Sequence, residues 1–286
     1  MVSLDLILRL LRRGVRKRLA QRRFPGTPSK SLPVLFANSF PKSGTHLLTQ
    51  IIGGFTKLAP FVDSGLQAVV TFAGDTGEQR SLEDIIQDLQ RFLPGDVGYG
   101  HLHALPEIVA SLTNKRMASI FIYRDPRDVA VSHAFYVADI NRRHVHHQLY
   151  ADQLGDFNQK LKMSITGRPE LRTPFPDIGT RFKPYLGWLQ QAEALSIRYE
   201  DLVQRPKDVV GAIFDHVAAR GFSFSGGRSE AIRVLTASIH PEKSPTFRKG
   251  MIGGWKEHFN EEHKALFNQF CGELLVDLGY EKNLNW

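Results

Sequence analysis

The chain has 286 residues, 42% of them hydrophobic and 23% charged, which is ordinary for one globular domain with a sizeable buried core. Its formal charge of +8 would point to nucleic acid if it were spread out, but eight basic residues and only one acid, Asp5, fall within residues 1–23. The nearly neutral body removes the main support for a nucleic-acid partner, and a lone cysteine, Cys271, excludes an internal disulfide and fits a reducing, cytoplasmic setting.

Residues 1–31 read as an arm and linker, and 32–286 as the domain. In the arm, Leu4, Ile7, Leu8, Leu11, Val15 and Leu19 recur at helical spacing while Arg9, Arg12, Arg13, Arg16, Lys17, Arg18, Arg22 and Arg23 fill the remaining positions. Two readings follow: a helix lying on an anionic membrane surface, or a helix packed on its own domain with its basic face in solvent. The apolar run is far short of the roughly 20 residues that span a bilayer. Its charge follows the run rather than preceding it, unlike a secretory signal, although an Arg-rich transit peptide shares the composition. A cytoplasmic, membrane-peripheral protein is the expectation. The segment Pro25–Pro33 is the linker.

Beyond it, apolar strand-like runs alternate with amphipathic stretches. The pattern predicts strands at Val34–Ser39, Val97–Gly100, Ala118–Tyr123 and Leu195–Tyr199. Helices are expected at Thr45–Leu58, Leu82–Phe92, Pro126–Ala138 and Lys207–Arg220. This order implies a three-layer α/β fold, a central parallel sheet flanked by helices, with ligands at the carboxyl ends of the strands. Residues 139–183 are the least patterned and read as a lid, a substrate loop or a helical insertion.

Two segments carry chemistry. In LFANSFPKSGTHLL, a strand leads through Pro41, Lys42, Ser43, Gly44 and Thr45 into a helix. Gly44 permits close backbone approach, the free amides of the first helical turn face an anion, and Lys42, Ser43 and Thr45 add donors. Lys42 precedes the glycine, whereas in the nucleoside-triphosphatase loop the lysine follows it. In YRDPRDVAVSHAF, Asp125 caps a helix with Pro126 at its first position, and Asp128 completes an acidic first turn. Arg124 then projects from the strand end, where its planar fork suits phosphate, and Ser132 offers a hydroxyl from the same helix.

Together these segments resemble the sulfotransferases that use 3′-phosphoadenosine 5′-phosphosulfate (PAPS). FPKSGTHLL is similar to their 5′-phosphosulfate loop and YRDPRDVAVSHAF to their 3′-phosphate segment; IRYEDL at 197–202 and FRKGMIGGWKEHF at 247–259 follow in the family's order. The resemblance implies a P-loop-like sulfotransferase fold, and PAPS as co-substrate with adenosine 3′,5′-bisphosphate as product. It implies a hydroxyl or amine acceptor, a carbohydrate, glycolipid or small alcohol, and no metal. Lys42, Ser43, Gly44, Thr45 and His46 would hold the 5′ end, Arg124 and Ser132 the 3′-phosphate. Tyr199 would lie near the adenine, and Phe247, Arg248, Lys249 and Gly250 would close over the 3′-phosphate. Trp255 reads as a core anchor. The chain departs from cytosolic members at His46 and Leu47, where they carry Thr and Trp, and at Thr246 and Gly254.

Sulfuryl transfer to an alcohol also needs a base, which a histidine of pKa near 6.5 can supply. GYGHLHALPEI offers His101 and His103 after a short strand; the family's base precedes a step like Leu-Pro, which Gly-His-Leu fits better, so the resemblance implies His101, with His103 the alternative. The family's lysine two positions before this histidine is Tyr99 here, which leaves more of the leaving-group work to Lys42. His144, His146 and His147 lack the companion ligands of a metal site and read as a solvated or acceptor-contacting face. The rival functions are a P-loop nucleotide kinase or nucleoside-triphosphatase, and a non-catalytic module that binds a nucleotide or a membrane.

Overall fold

A computed structural model describes residues 4–244 and 250–286. Phe247, Arg248 and Lys249, expected at the donor's 3′-phosphate, lie outside the described residues. Six parallel strands form the sheet: β1 (Val34–Ser39), β2 (Val62–Asp63), β3 (Val69–Val70), β4 (Asp96–His101), β5 (Met117–Tyr123) and β6 (Leu195–Arg198). Their order is β2-β4-β1-β5-β6, with β3 also pairing to β4. β1 is central, in register with β4 (Asn38 opposite Gly100) and with β5 (Ser39 opposite Ile122). A Cβ on Gly100 would meet the Val69 carbonyl oxygen at 2.2 Å, so a glycine is needed for β3 to approach.

The helices are α1 (Leu4–Arg23), α2 (Thr45–Gly54), α3 (Leu82–Gln90), α4 (Pro106–Leu112), α5 (Pro126–Phe135) and α6 (Phe157–Thr166), then α7 (Ile178–Phe182), α8 (Tyr199–Gln204), α9 (Pro206–Ala218), α10 (Gly227–Thr236) and α11 (Glu261–Asp277). Strand alternation divides the core. Phe36 and Phe121 pack with Phe182, Trp188 and Phe267 on one face, while Leu35, Ala37, Ile120 and Ile122 pack with α2, α9 and α10 residues on the other. Each fully buried large side chain adds ~1.5–3 kcal/mol relative to exposure.

The expected helices end earlier than read, β1 keeps its expected bounds, and β4 and β5 run slightly longer. α2 tightens into a 3₁₀ turn at Phe55–Lys57, and α5 loosens into a π turn at Tyr136–Ile140. Tyr199 begins α8 instead of ending β6. Residues 139–183 are a helical insertion with its own core of Tyr150, Met163 and Phe175 against Ala134 and Val137 of the α5 region.

The arm departs from the second of its two readings, that of a basic face in solvent. α1 does pack on the domain, but through its basic face. Arg13 reaches the buried Asp96 carboxylate and the Arg91 carbonyl, Lys17 reaches Asp96 and the Pro94 carbonyl, and Arg9 and Arg16 donate to the carbonyls of Gly65 and Ser64. The apolar stripe faces outward. The reason is local: the start of β4 and the connection after β2 present a carboxylate and free carbonyls, which guanidinium groups satisfy and leucines cannot.

Candidate active site

A cavity of about 1120 Å³ opens at the carboxyl ends of β1, β3, β4 and β5. It brings together Lys42, Gly44, Thr45, His46, His101, His103, Arg124, Ser132, Tyr199 and Gly250. Ser43 lies in the same loop, fully buried.

The loop after β1 is held in unusual backbone geometry. Lys42 has φ 70° and Gly44 φ 101°, both left-handed, so the chain folds tightly over the start of α2. A Cβ on Gly44 would meet the Tyr199 ring at 2.6 Å, and that tyrosine is pinned by its hydroxyl donating to the Gly250 carbonyl at 2.9 Å. Tyr199 therefore braces the loop from below. The Lys42 ammonium sits 3.8 Å over the Tyr136 ring, and burial, aided by the Arg124 charge, pulls its pKa down to about 8.

On the opposite wall, Arg124 leaves β5, stacks 4.4 Å from the Tyr199 ring, donates to the Met251 carbonyl at 2.6 Å and pairs with Asp128 at 3.3 Å. Asp128 is structural, as the acidic first turn suggested. It accepts the backbone N–H groups of Gly253 and Trp255 at 2.9 and 2.8 Å, tethering the segment that carries Gly250. Asp125 caps α5 by accepting the Arg127 N–H, and Trp255 is buried against the Arg127 guanidinium. Among the described residues, Ser43 Oγ and Arg124 Nε are buried without a hydrogen bond, as is His146 Nδ1 elsewhere in the cavity wall. An orphaned group of this kind costs about 1–3 kcal/mol, which an anionic ligand's oxygens would relieve. The residues present thus fit a doubly anchored anion.

His101 ends β4. Its Nδ1 lies 3.0 Å from both the carbonyl oxygen and the hydroxyl of Ser39, and that hydroxyl is 2.7 Å from Thr45 Oγ1. A carbonyl only accepts, so Nδ1 carries the proton and Nε2 is left with its lone pair. Burial is the main influence on His101 and lowers its pKa; the Ser39 carbonyl opposes this, and His46 and Lys42 reinforce it. The strand end is fixed by Asn38, whose amide donates to the Leu102 carbonyl at 3.0 Å and accepts its N–H at 2.8 Å. His103 has different company. Its ring lies between Phe72 and Tyr185, and burial alone lowers its pKa to about 4.

The far wall of the cavity is aromatic and histidine-rich: Phe72, His103, His133, His144, His146, Phe175 and Tyr185. Desolvation keeps its imidazoles neutral, holding His144 to about 4 and His133 well below the usual range. His144 and His146 thus contact the cavity; His147 instead donates from Nδ1 to the Val137 carbonyl. Among the described residues, no cluster of three metal-ligating side chains is arranged to hold a metal.

Sequence reasoning missed Tyr136, Ser39, Phe72 and Tyr185. Tyr136 had a signal, because Asp128, Ser132 and Tyr136 are spaced i, i+4, i+8 on one face of the α5 region, and all three line the cavity. Ser39 and Tyr185 had none.

Residues 33–279 match the sulfotransferase domain family. The chain belongs to that family. It is a sulfotransferase. A flavonol 3-sulfotransferase of Flaveria bidentis is 24% identical over 277 residues, covering 86% of this chain and 82% of the relative. A 3-alpha-hydroxysteroid sulfotransferase of Cavia porcellus is 23% identical, with coverage of 86% and 84%. Among solved structures, a mouse sulfotransferase complexed with PAP superposes with a TM-score of 0.55 at 18% identity, covering 93% of this chain and 91% of that one. A retinol dehydratase in complex with retinol and PAP gives 0.56 at 17% identity, covering 92% and 86%.

Proposed function

We propose that this sulfotransferase moves a sulfuryl group from PAPS to the hydroxyl of an apolar or amphiphilic alcohol, with His101 as base and Lys42 at the leaving group. The observation that carries the assignment is the contact of His101 Nδ1 with the Ser39 carbonyl, which leaves Nε2 as the proton acceptor on a residue lining the cavity. In the step, Nε2 takes the acceptor's hydroxyl proton as that oxygen bonds to sulfur. The bond between sulfur and the 5′-phosphate oxygen breaks, and adenosine 3′,5′-bisphosphate departs. Lys42 and the loop amides stabilise the negative charge growing on the bridging oxygen. Ser43, Thr45 and His46 would hold the 5′ end and Arg124 and Ser132 the 3′-phosphate, the burial of Ser43 Oγ and Arg124 Nε without partners supporting this placement.

An apolar acceptor, rather than a carbohydrate, is favoured by the aromatic far wall, where the Arg181 guanidinium is taken up by the Phe175 ring and the carbonyls of Pro176 and Ser164. The relatives' names point the same way, since a flavonol, a hydroxysteroid and retinol are all apolar alcohols. The test is transfer from labelled PAPS to a flavonol, a hydroxysteroid, a long-chain alcohol and a sugar. His101→Ala and Lys42→Ala should each lose ~10²–10⁴-fold in kcat with melting temperature unchanged. Full activity in both variants would sink the assignment, and preference for the sugar would overturn the acceptor class.

A further inference from the structure

In water, an amphipathic helix on a globular domain ordinarily turns its apolar side inward. Here α1 does the reverse. Leu4, Ile7, Leu8, Leu11, Val15 and Leu19 are 43–72% exposed, and they form one continuous stripe opposite the face that Arg13 plants on Asp96. At 1.5 Å per residue the stripe is about 22 Å long. A continuous apolar surface of this kind marks a docking site more often than chance exposure.

The stripe's surroundings indicate what covers it. Arg12, Arg18, Arg22 and Arg23 are exposed beside and beyond it, while the arm's one acid, Asp5, is paired to Arg9 at 2.7 Å. A second copy docking stripe to stripe would bring two sets of these cations together. An anionic surface with an apolar interior satisfies both the cations and the leucines. No helix among the described residues is long and apolar enough to cross a membrane, so any contact is lateral.

We propose that α1 is an in-plane anchor that seats this enzyme on an anionic lipid bilayer, clamped to the domain by its inward basic face. The clamp gives the anchor a fixed place relative to the cavity. Arg9 and Arg16 hold the carbonyls of Gly65 and Ser64, and the same connection runs on to Ala68 and Val70 in the cavity wall. An acceptor delivered from the bilayer would therefore enter beside the helix; this last step rests on the proposed apolar acceptor, whereas the docking itself does not.

The test is co-sedimentation of the full chain with vesicles of phosphatidylcholine alone and with about 30 mol% phosphatidylserine, where surface potential favours basic segments. The wild type should partition onto the anionic vesicles, and Leu11→Glu with Val15→Glu should weaken this at least ~10-fold. Those side chains are 63% and 56% exposed, so the melting temperature should not move. Arg12→Gln with Arg18→Gln should cost ~10–30-fold on anionic vesicles and little on neutral ones. Equal partitioning of the wild type and the glutamate variant would overturn the proposal. So would a wild-type dimer in light scattering that the glutamate variant makes monomeric without any vesicle binding. Transfer to a water-soluble alcohol, measured without vesicles, should be the same in all variants; failure of the docking would leave that activity intact, whereas failure of the proposed reaction would not.

Discussion

In the reaction proposed above, the donor half of the cavity would draw Lys42, Thr45, Arg124 and Ser132 from two short stretches, 40–47 and 124–136, with Tyr199 beside them, whereas the acceptor half would gather Phe72, His103, His144, Phe175 and Tyr185 from well-separated parts of the chain. The first half is backbone-dominated: left-handed Lys42 and Gly44 and a tyrosine brace, with the buried, unpartnered Ser43 Oγ and Arg124 Nε at its two proposed anchors. The second is side-chain-dominated: aromatic and imidazole rings, with His133 and His146 hydrogen-bonded to the Ser164 hydroxyl and the Thr173 carbonyl. Binding an invariant polyanion calls for rigid donors, while receiving a hydroxyl on a variable apolar body calls for shape and dryness. Substitutions in the two halves should accordingly fail in different ways.

The largest contrast is expected at Gly44. Gly44→Ala puts a methyl group within 2.6 Å of Tyr199 at a φ of 101°, so both the loop and its brace must shift. The cost should be ~1–3 kcal/mol in stability and at least ~10-fold in donor affinity, read by melting and by titration with adenosine 3′,5′-bisphosphate. In the other half, Phe72→Ala should raise the acceptor KM ~10-fold and leave the donor KM unchanged, because Phe72 is 46% exposed and packs on the His103 ring of the far wall. Equal effects of Phe72→Ala on both substrates would break the division.

The same contrast explains what could be read in the sequence. Contiguous motifs announce themselves: the strand–loop–helix at Lys42 and the capped helix at Asp125 located the sheet, its carboxyl edge and the cationic and hydroxyl groups that line one side of the cavity. α5's inward face was legible in principle from the i, i+4 spacing of Asp128, Ser132 and Tyr136. The acceptor wall was not, since Tyr185 and Phe175 meet His103 and His133 only after the insertion at 139–183 folds back, and their spacing there has no period. The arm was legible as a helix but not in its orientation. Amphipathicity gives a face and not a partner, and Asp96, the residue that captures Arg13, is an unremarked acid 83 positions away.

pH should separate the halves by observable. Activity depends on the proposed base and the donor loop: burial lowers the pKa of His101, so the acid limb of kcat/KM should lie below 6.5. Lys42 loses its charge as pH rises through about 8, so the donor's kcat/KM should fall above that. Lys42→Arg should remove the alkaline fall. Stability depends on the acceptor half: His103 and His144 take a proton near 6.5 when unfolded but only at about 4 when folded. Between those values the unfolded chain binds more protons, so this stability is complete above 6.5 and is lost as pH falls toward 4. A melting temperature that stays flat from pH 7 to 5 would contradict the buried, neutral wall.

The smallest effect is expected where the two halves join, at Ser39. Its hydroxyl links Thr45 on the donor side to His101, yet its carbonyl also receives the His101 Nδ1 proton at 3.0 Å. Ser39→Ala removes the first link and keeps the second. If the carbonyl sets the tautomer, the variant should lose only one ordinary hydrogen bond, about 0.5–1.5 kcal/mol, seen as a donor KM raised several-fold with kcat and its acid limb in place. A kcat loss of ~10²-fold or more, with the acid limb displaced, would instead mean that the hydroxyl orients the base. Donor loop and base would then be one coupled unit, and the division between the halves would fail at its seam.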